Sequence, residues 1–468
     1  MMHTCKTLFI FRRDLRLEDN TALIAALRAS STVIPCFIFD PRQIGDQPYK
    51  SYSAIQFMVA SLLELEEELI RKGHRLYIFE GEAGDIVGKI IKSEHIDAVY
   101  FNKDYTPFSQ KRDEEISQIC QKAGIACHSF HDALLNPPDA VKKDDGGVYS
   151  IYTPYARKAM TFEVPGPVTN TFKNYDDKPI AIEKRTFFNS MRLKINKNGL
   201  YPAGRLAALK ILNNMDQFKQ YDQERNFPGL SATTGLSAHH KFGTCSIRES
   251  YHAIRSVLGF DHTLIRELYW RDFFTQIGFH YPKVLGQSFH AQYDNINWEN
   301  DPIKFQQWCD GKTGFPIVDA GMRELNTTGF MHNRVRMITA SFLVKDLHID
   351  WRWGEKYFAQ KLIDYDPLVN NGNWQWAAST GCDAQPYFRI FNPWLQQEKF
   401  DPKAVYIRRW IPELRILSLK DIHRLQKAKS SYVSNYPVAI EDHKLEAQRS
   451  LAMYKSVKGN GQKMACCI

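Results

Sequence analysis

Residues 267–273, Glu-Leu-Tyr-Trp-Arg-Asp-Phe, set a carboxylate, an indole and a guanidinium within about one helical turn. Glu267 and Trp270 are three apart and would share a helix face. A carboxyl group beside a flat aromatic suits a planar base carrying imide and carbonyl groups. It suits equally a surface ion pair next to a buried tryptophan. The run Thr233-Thr234-Gly235-Leu236-Ser237 offers hydroxyls and backbone N–H groups ahead of helical sequence. Such a run can cradle a pyrophosphate or simply open a helix. All nine tryptophans lie from Trp270 onward. Indoles fill cores, but they also stack on bases and relay electrons.

Two kinds of element must position these groups. Over the first 130 residues, short apolar runs alternate with helical stretches: Thr7–Phe11, Val33–Phe39, Arg75–Phe79, Ala98–Phe101 and Ile125–Phe130 read as strands. Asn20–Ala29, capped by Asp19 or Asn20, and Ser53–Lys72, ended by Gly73, read as helices. The fold class expected is an α/β doubly wound parallel sheet followed by an all-α C-terminal domain. The turn after the first strand, Arg12-Arg13-Asp14-Leu15-Arg16, lacks G-x-G-x-x-G, so a redox cofactor should bind elsewhere. Residues 131–200 read as a connector, rich in Pro and Gly, with one short helix near Thr153–Met160. From Tyr201 helical periodicity dominates, clearest at Val318–Leu325, Met331–Leu347 and Gly354–Ile363. The domains expected are therefore 1–130, a linker 131–200, and 201–468.

The charge is uneven. Residues 201–468 carry 34 Lys and Arg against 26 Asp and Glu, while the first 200 are nearly balanced. That excess is compatible with a polyanionic partner. Nine cysteines without a C-x-x-C pair, including adjacent Cys466 and Cys467, argue against a disulfide framework. No His/Cys spacing suits a metal, and the doublet His239-His240 reads as structural. No apolar run is long enough for a bilayer, and the N-terminus reads as a strand, so a cytoplasmic protein without membrane contact is expected.

The most specific stretches are Gly329-Phe330-Met331-His332-Asn333-Arg334-Val335-Arg336-Met337 and the run 364–376, Asp-Tyr-Asp-Pro-Leu-Val-Asn-Asn-Gly-Asn-Trp-Gln-Trp. With Phe11-Arg12-Arg13-Asp14-Leu15-Arg16-Leu17-Glu18-Asp19-Asn20 and the run 383–393, Asp-Ala-Gln-Pro-Tyr-Phe-Arg-Ile-Phe-Asn-Pro, they resemble the signatures of the DNA photolyase/cryptochrome family. The likeness is greatest to the microbial class I enzymes that split cyclobutane pyrimidine dimers. It runs from near the N-terminus to about Trp410.

The resemblance implies a C-terminal domain that binds FAD. Tyr221, Thr233, Thr234, Gly235, Leu236 and Ser237 would hold its phosphates. Trp270, Arg271, Asp364, Tyr365 and Asp366 would line the cofactor, with Arg336 paired to Asp364. Asn333 would face flavin N5. Glu267, Trp270, Asn333, Met337 and Trp376 would form the lesion pocket. Arg225, Arg334, Arg389 and Gln396 would meet the DNA. The reaction implied is electron donation from photoexcited reduced FAD to the dimer, ring opening, and return of the electron. Trp374, Trp351 and Trp298 would relay electrons between flavin and surface. The partner implied is DNA containing pyrimidine dimers, and the chain is expected to act as a monomer.

Two positions depart from the pattern. Gly235 stands where many relatives carry a larger, often basic residue. In the loop Asn102-Lys103-Asp104-Tyr105-Thr106-Pro107-Phe108, Thr106 replaces the Glu of folate-binding relatives. Methenyltetrahydrofolate, a deazaflavin or no antenna all remain open. The polar tail beyond Ser430 has no match and reads as flexible. The rivals are a (6-4) photolyase, which needs a pocket histidine where this chain has Asn333 and Met337, a cryptochrome-type receptor, and a generic flavoprotein electron carrier, which would leave the DNA-facing arginines unexplained.

Overall fold

The computed structural model describes residues 5–195, 201–427 and 435–457. Five parallel strands form one sheet in the order β3-β2-β1-β4-β5, with β1 Lys6–Phe11, β2 Thr32–Phe39, β3 Tyr77–Glu80, β4 Ala98–Asn102 and β5 Ala126–Phe130. The inner strands read as unbroken apolar runs because both their faces are covered. One core gathers Leu8, Ile10, Ile34, Cys36 and Val99 with Ile86, Val87 and Ile90 of the helix Ala83–Glu94. Asn20 caps the helix Thr21–Ala29 by accepting from the Leu23 N–H. The helix Tyr52–Arg71 ends just before Gly73, whose φ is +81°.

Strand order reverses between β1 and β4, the place where doubly wound sheets receive ligands. Here Asn102 Nδ2 donates to Asp14 Oδ2 (2.5 Å) and Asn20 Oδ1 (2.8 Å), and the Arg12 N–H donates to Asp14 Oδ1 (2.6 Å). The turn after β1 then docks on helical sequence far along the chain. Leu15 N–H donates to the Phe242 carbonyl, and a Cβ on Gly243 (φ +61°) would fall 2.1 Å from the Arg13 carbonyl oxygen. Only glycine fits there.

Close packing groups residues 1–219, 234–280 and 363–366 into one compact unit. Residues 220–233, 281–362 and 367–468 form a second. In the first, the connector is pinned at many points. Asp132 receives Arg16 and Arg248, and the Leu135 and Asn136 N–H groups donate to Asp272 Oδ2 at 2.8 and 3.1 Å. Its expected helix is present as Tyr152–Ala159, and a second, Thr186–Leu193, was not expected. Phe188 and Met191 anchor that second helix, too short for its period to stand out in sequence.

In the second unit the expected helices appear as Pro316–Thr328, Asn333–Lys345 and Trp351–Lys361. The tail differs from expectation where it is described. Tyr436 Oη donates to Asp319 Oδ2 (2.7 Å), and the helix His443–Ser456 buries Tyr454 completely. Single large aromatics, not a periodic face, hold it down. The seven described cysteines are free; Cys466 and Cys467 lie outside the described residues, as does Ser430.

Candidate functional site

The residues singled out by sequence fall in both units, and each set has its own geometry. In the first unit, the helix Thr263–His280 carries Glu267, Trp270 and Arg271. The Trp270 indole lies face to face with the Tyr152 ring, centroids 3.6 Å apart and planes 8° from parallel. Tyr152 Oη donates to the Arg266 carbonyl at 2.7 Å. Burial, then the Glu267 carboxylate, pushes the Tyr152 phenol above its usual range, so it stays a donor. Trp270 is thus held in orientation before any ligand arrives.

Beside it lies a knot of buried charge. Arg13, in the turn after β1, donates from Nε to the Lys241 carbonyl (3.1 Å) and from Nη1 to Asp104 (3.0 Å). Its Nη2 donates to Asp366. Lys241 and Arg271 face the same carboxylate. Burial raises the Asp366 carboxyl, but Arg13, then Lys241 and Arg271, pull it down to about 2. Lys241 is pulled down to about 8 by burial and then by Arg13. Arg13, Lys241 and Arg271 thus meet Asp104, Asp366 and Asp272, so the charges balance when Asp272 is ionised and one positive charge is in excess when it is protonated. Next to Arg271, Asp272 is pushed up to about 7 by burial against the opposing pull of Arg271 and the two N–H groups it accepts.

Gly235 has φ +68°, and a Cβ there would fall 2.3 Å from Tyr201 Oη. Tyr201 therefore holds the space that a larger side chain at this position would need. Thr106 caps the helix Pro107–Ala123, accepting from the Ser109 N–H, so the position expected to hold Glu in folate binders serves here as a helix cap.

In the second unit, Asn333 opens the helix Asn333–Lys345 and donates from Nδ2 to Met337 Sδ at 3.9 Å, one turn on. The two form a local pair. His332 caps the same helix: its Nδ1 accepts from the Arg334 N–H, and burial pulls the imidazole down to about 4. Arg334 donates to Asn226 Oδ1 at 2.6 and 3.1 Å. Burial and then Arg225 lower its pKa. A neutral acceptor and a like charge surround it, an arrangement suited to an anion. Arg336 donates from Nε to the Met331 carbonyl (2.7 Å). Tyr221 is buried, Arg389 is exposed, and Trp376 and Gln396 are half-buried.

The three relay candidates differ in burial. Trp374 and Trp351 are sealed, whereas Trp298 is half-buried and packs edge-on to Tyr454 at 6.1 Å. Trp374 enters over Gly354, where a Cβ would fall 2.1 Å from its ring, and meets Phe358 at 4.9 Å.

Within the units, the structure brings together Glu267 with Trp270, Arg271 with Asp366, Arg225 with Arg334, and Asn333 with Met337. Sequence reasoning missed Tyr152, Arg13, Asp104 and Lys241. Arg13 stands in a motif already singled out, but its partner Asp366 is 353 residues away.

A parallel-sheet unit with a buried cluster of Arg13, Lys241 and Arg271 among carboxylates, and a helical unit with Arg225 beside Arg334, is the kind of architecture that receives an anionic cofactor and an anionic partner. Residues 7–170 match the family model described as DNA photolyase, and residues 264–456 match that of the FAD binding domain of DNA photolyase. A deoxyribodipyrimidine photo-lyase of Vibrio cholerae is 38% identical over 465 residues, covering 96% of this chain and 99% of that protein. Among solved structures, the archaeal photolyase of Sulfolobus tokodaii, determined with two FAD molecules, is 43% identical with a TM-score of 0.88, covering 96% of this chain and 100% of that one. A bacterial class III photolyase of Agrobacterium tumefaciens is 35% identical (TM-score 0.89; 98% of each chain), and a Synechocystis cryptochrome is 27% identical (TM-score 0.85; 97% and 100%). The chain belongs to the DNA photolyase family. It is a FAD-dependent photo-lyase, and its substrate is damaged DNA.

The residues present fit FAD. The buried cations Arg13, Lys241 and Arg271, in excess over Asp104 and Asp366 while Asp272 is protonated, suit the flavin side of a cofactor that is anionic when reduced. No helix among the described residues is long and apolar enough to cross a membrane.

Proposed function

We propose that the protein repairs cyclobutane pyrimidine dimers in DNA, using blue light and reduced FAD. When bound, the flavin supplies one electron to the dimer and accepts it back after the cyclobutane ring has opened. The chain's residues do the rest. Trp270 and Trp376 stack on the extruded bases, Glu267 hydrogen-bonds a thymine edge, and Asn333 and Met337 close the lesion pocket. Arg225, Arg334, Arg389 and Gln396 hold the strand, and the poorly stacked lesion lowers the cost of extrusion. Tyr221, Thr233, Thr234, Leu236 and Ser237 hold the cofactor's phosphates. Arg271, Asp364, Tyr365 and Asp366 hold its flavin side. Trp374, Trp351 and Trp298 return electrons to oxidised cofactor. An antenna chromophore would occupy the α/β domain, and the second FAD of the Sulfolobus tokodaii photolyase is one model for it. The protein acts as a cytoplasmic monomer.

The observation that favours this reading over (6-4) repair is the pair at the two positions where that reaction needs a pocket histidine. Here they are Asn333 and Met337, side by side at the start of the helix Asn333–Lys345, and neither side chain carries a titratable proton. The Glu267–Trp270 face supports repair over a receptor role, since a receptor needs no group for a thymine edge.

Changing Glu267 to Ala is expected to lower repaired dimers per absorbed photon severalfold while affinity for dimer-bearing DNA falls less. An unchanged photon yield would remove Glu267 from the reaction.

A further inference from the structure

The turn after β1 holds three arginines, and two of them have structural partners alone. Arg12 meets Asp113 at 2.5 Å, and Arg16 meets Asp132 at 2.7 Å and the Gly243 carbonyl. Arg13 differs. It spans two carboxylates from distant parts of the chain, Asp104 in the loop after β4 and Asp366, the residue assigned to the flavin. Its Nε is fixed by the Lys241 carbonyl, so all three arms of the guanidinium are committed.

We propose that Arg13 is a positioning residue for FAD, holding the Asp366 carboxylate ionised and aimed, and tying it through Asp104 to the loop after β4. A planar fork can satisfy two carboxylates at once with fixed geometry, which an ammonium cannot do. The groups facing Asp366 are Arg13 from the turn after β1, Asp104 from the loop after β4, Lys241 from the helix Ser237–Phe242, and Arg271 from the helix Thr263–His280. Arg13 is the foremost of the cations opposing burial. Without it, a carboxylate only 8% exposed keeps its desolvation penalty and loses its main counter-charge. Its titration then moves up toward neutrality, and an acceptor of ribityl or ring hydrogen bonds becomes a donor as pH falls.

This inference rests on the assignment of Asp366 to FAD, and the experiment separates the two. Apoprotein is prepared from wild type, Arg13→Gln, Arg13→Lys and Asp366→Asn, and FAD affinity is titrated by flavin fluorescence from pH 6 to pH 8. Wild type sets the reference profile, on which Lys241, near 8, and Asp272, near 7, already titrate, and a flat variant profile is one parallel to it. Arg13→Gln should bind FAD about tenfold more weakly at pH 6 than at pH 8, and Arg13→Lys should show a two- to threefold slope. A purely structural role would lower the melting temperature and leave the profiles flat. If Asp366→Asn weakens FAD binding and both Arg13 variants keep flat profiles, the role of Arg13 is overturned while Asp366 stands. If Asp366→Asn binds FAD as wild type does, the assignment of Asp366 itself is overturned. Should Arg13→Gln fail to fold, a flat Arg13→Lys profile is sufficient to reject the proposal.

Discussion

Replacing Tyr152 should separate the rigidity of the lesion pocket from its mere presence. The ring is 8% exposed, stacks on Trp270 at 3.6 Å, and its hydroxyl donates at 2.7 Å to the Arg266 carbonyl. Removing the hydroxyl alone, as in Tyr152→Phe, costs about 1 kcal/mol and leaves the stack. Tyr152→Ala deletes a buried aromatic and should cost about 3–5 kcal/mol of stability. Trp270 then regains rotamers that dimer binding must freeze again, at about 0.5–1.5 kcal/mol. That is about a two- to tenfold loss of affinity for dimer-bearing DNA, with affinity for undamaged DNA unchanged. Urea unfolding reads the first quantity, and fluorescence anisotropy with matched damaged and undamaged oligonucleotides reads the second. If Tyr152→Ala weakened both DNAs equally, or neither, the stack would be packing alone and the reasoning would be refuted.

Changing Trp298 to Phe should slow light-driven reduction of oxidised FAD at least tenfold yet spare repair by pre-reduced enzyme; equal loss of both would contradict the relay. Asp272, pushed up to about 7 by burial, keeps a proton in the folded state that the unfolded chain releases near pH 4. Its contribution to stability therefore falls as pH rises from about 4 to 7. Asp272→Asn should gain on wild type across that window, by at most about 4 kcal/mol, and then plateau. Urea midpoints that stay parallel from pH 4 to 8 would rule this out.

The sheet was legible because inner parallel strands are apolar throughout, and Asn20, Gly73 and the 153–160 helix announced themselves through caps and period. The helix Thr186–Leu193 and the docked tail were not legible. Their anchors are few, Phe188 and Met191 in the first and Tyr436 and Tyr454 in the second, too few to set a period. The Glu267–Trp270 face followed from spacing within one helix. The stack of Tyr152 on Trp270 and the fork of Arg13 could not, because they join segments 91 or more residues apart, where no local period carries information. The arginine motif pointed at a function whose partners only the folded chain reveals.

The most direct test is to illuminate fully reduced holoenzyme with blue light in the presence of an oligonucleotide bearing one thymine dimer, and to follow absorbance near 260 nm. The account predicts that absorbance returns as intact thymines form, with many turnovers per enzyme and none in the dark. Dimer-bearing DNA left unchanged by light, with FAD bound and reduced, would contradict it.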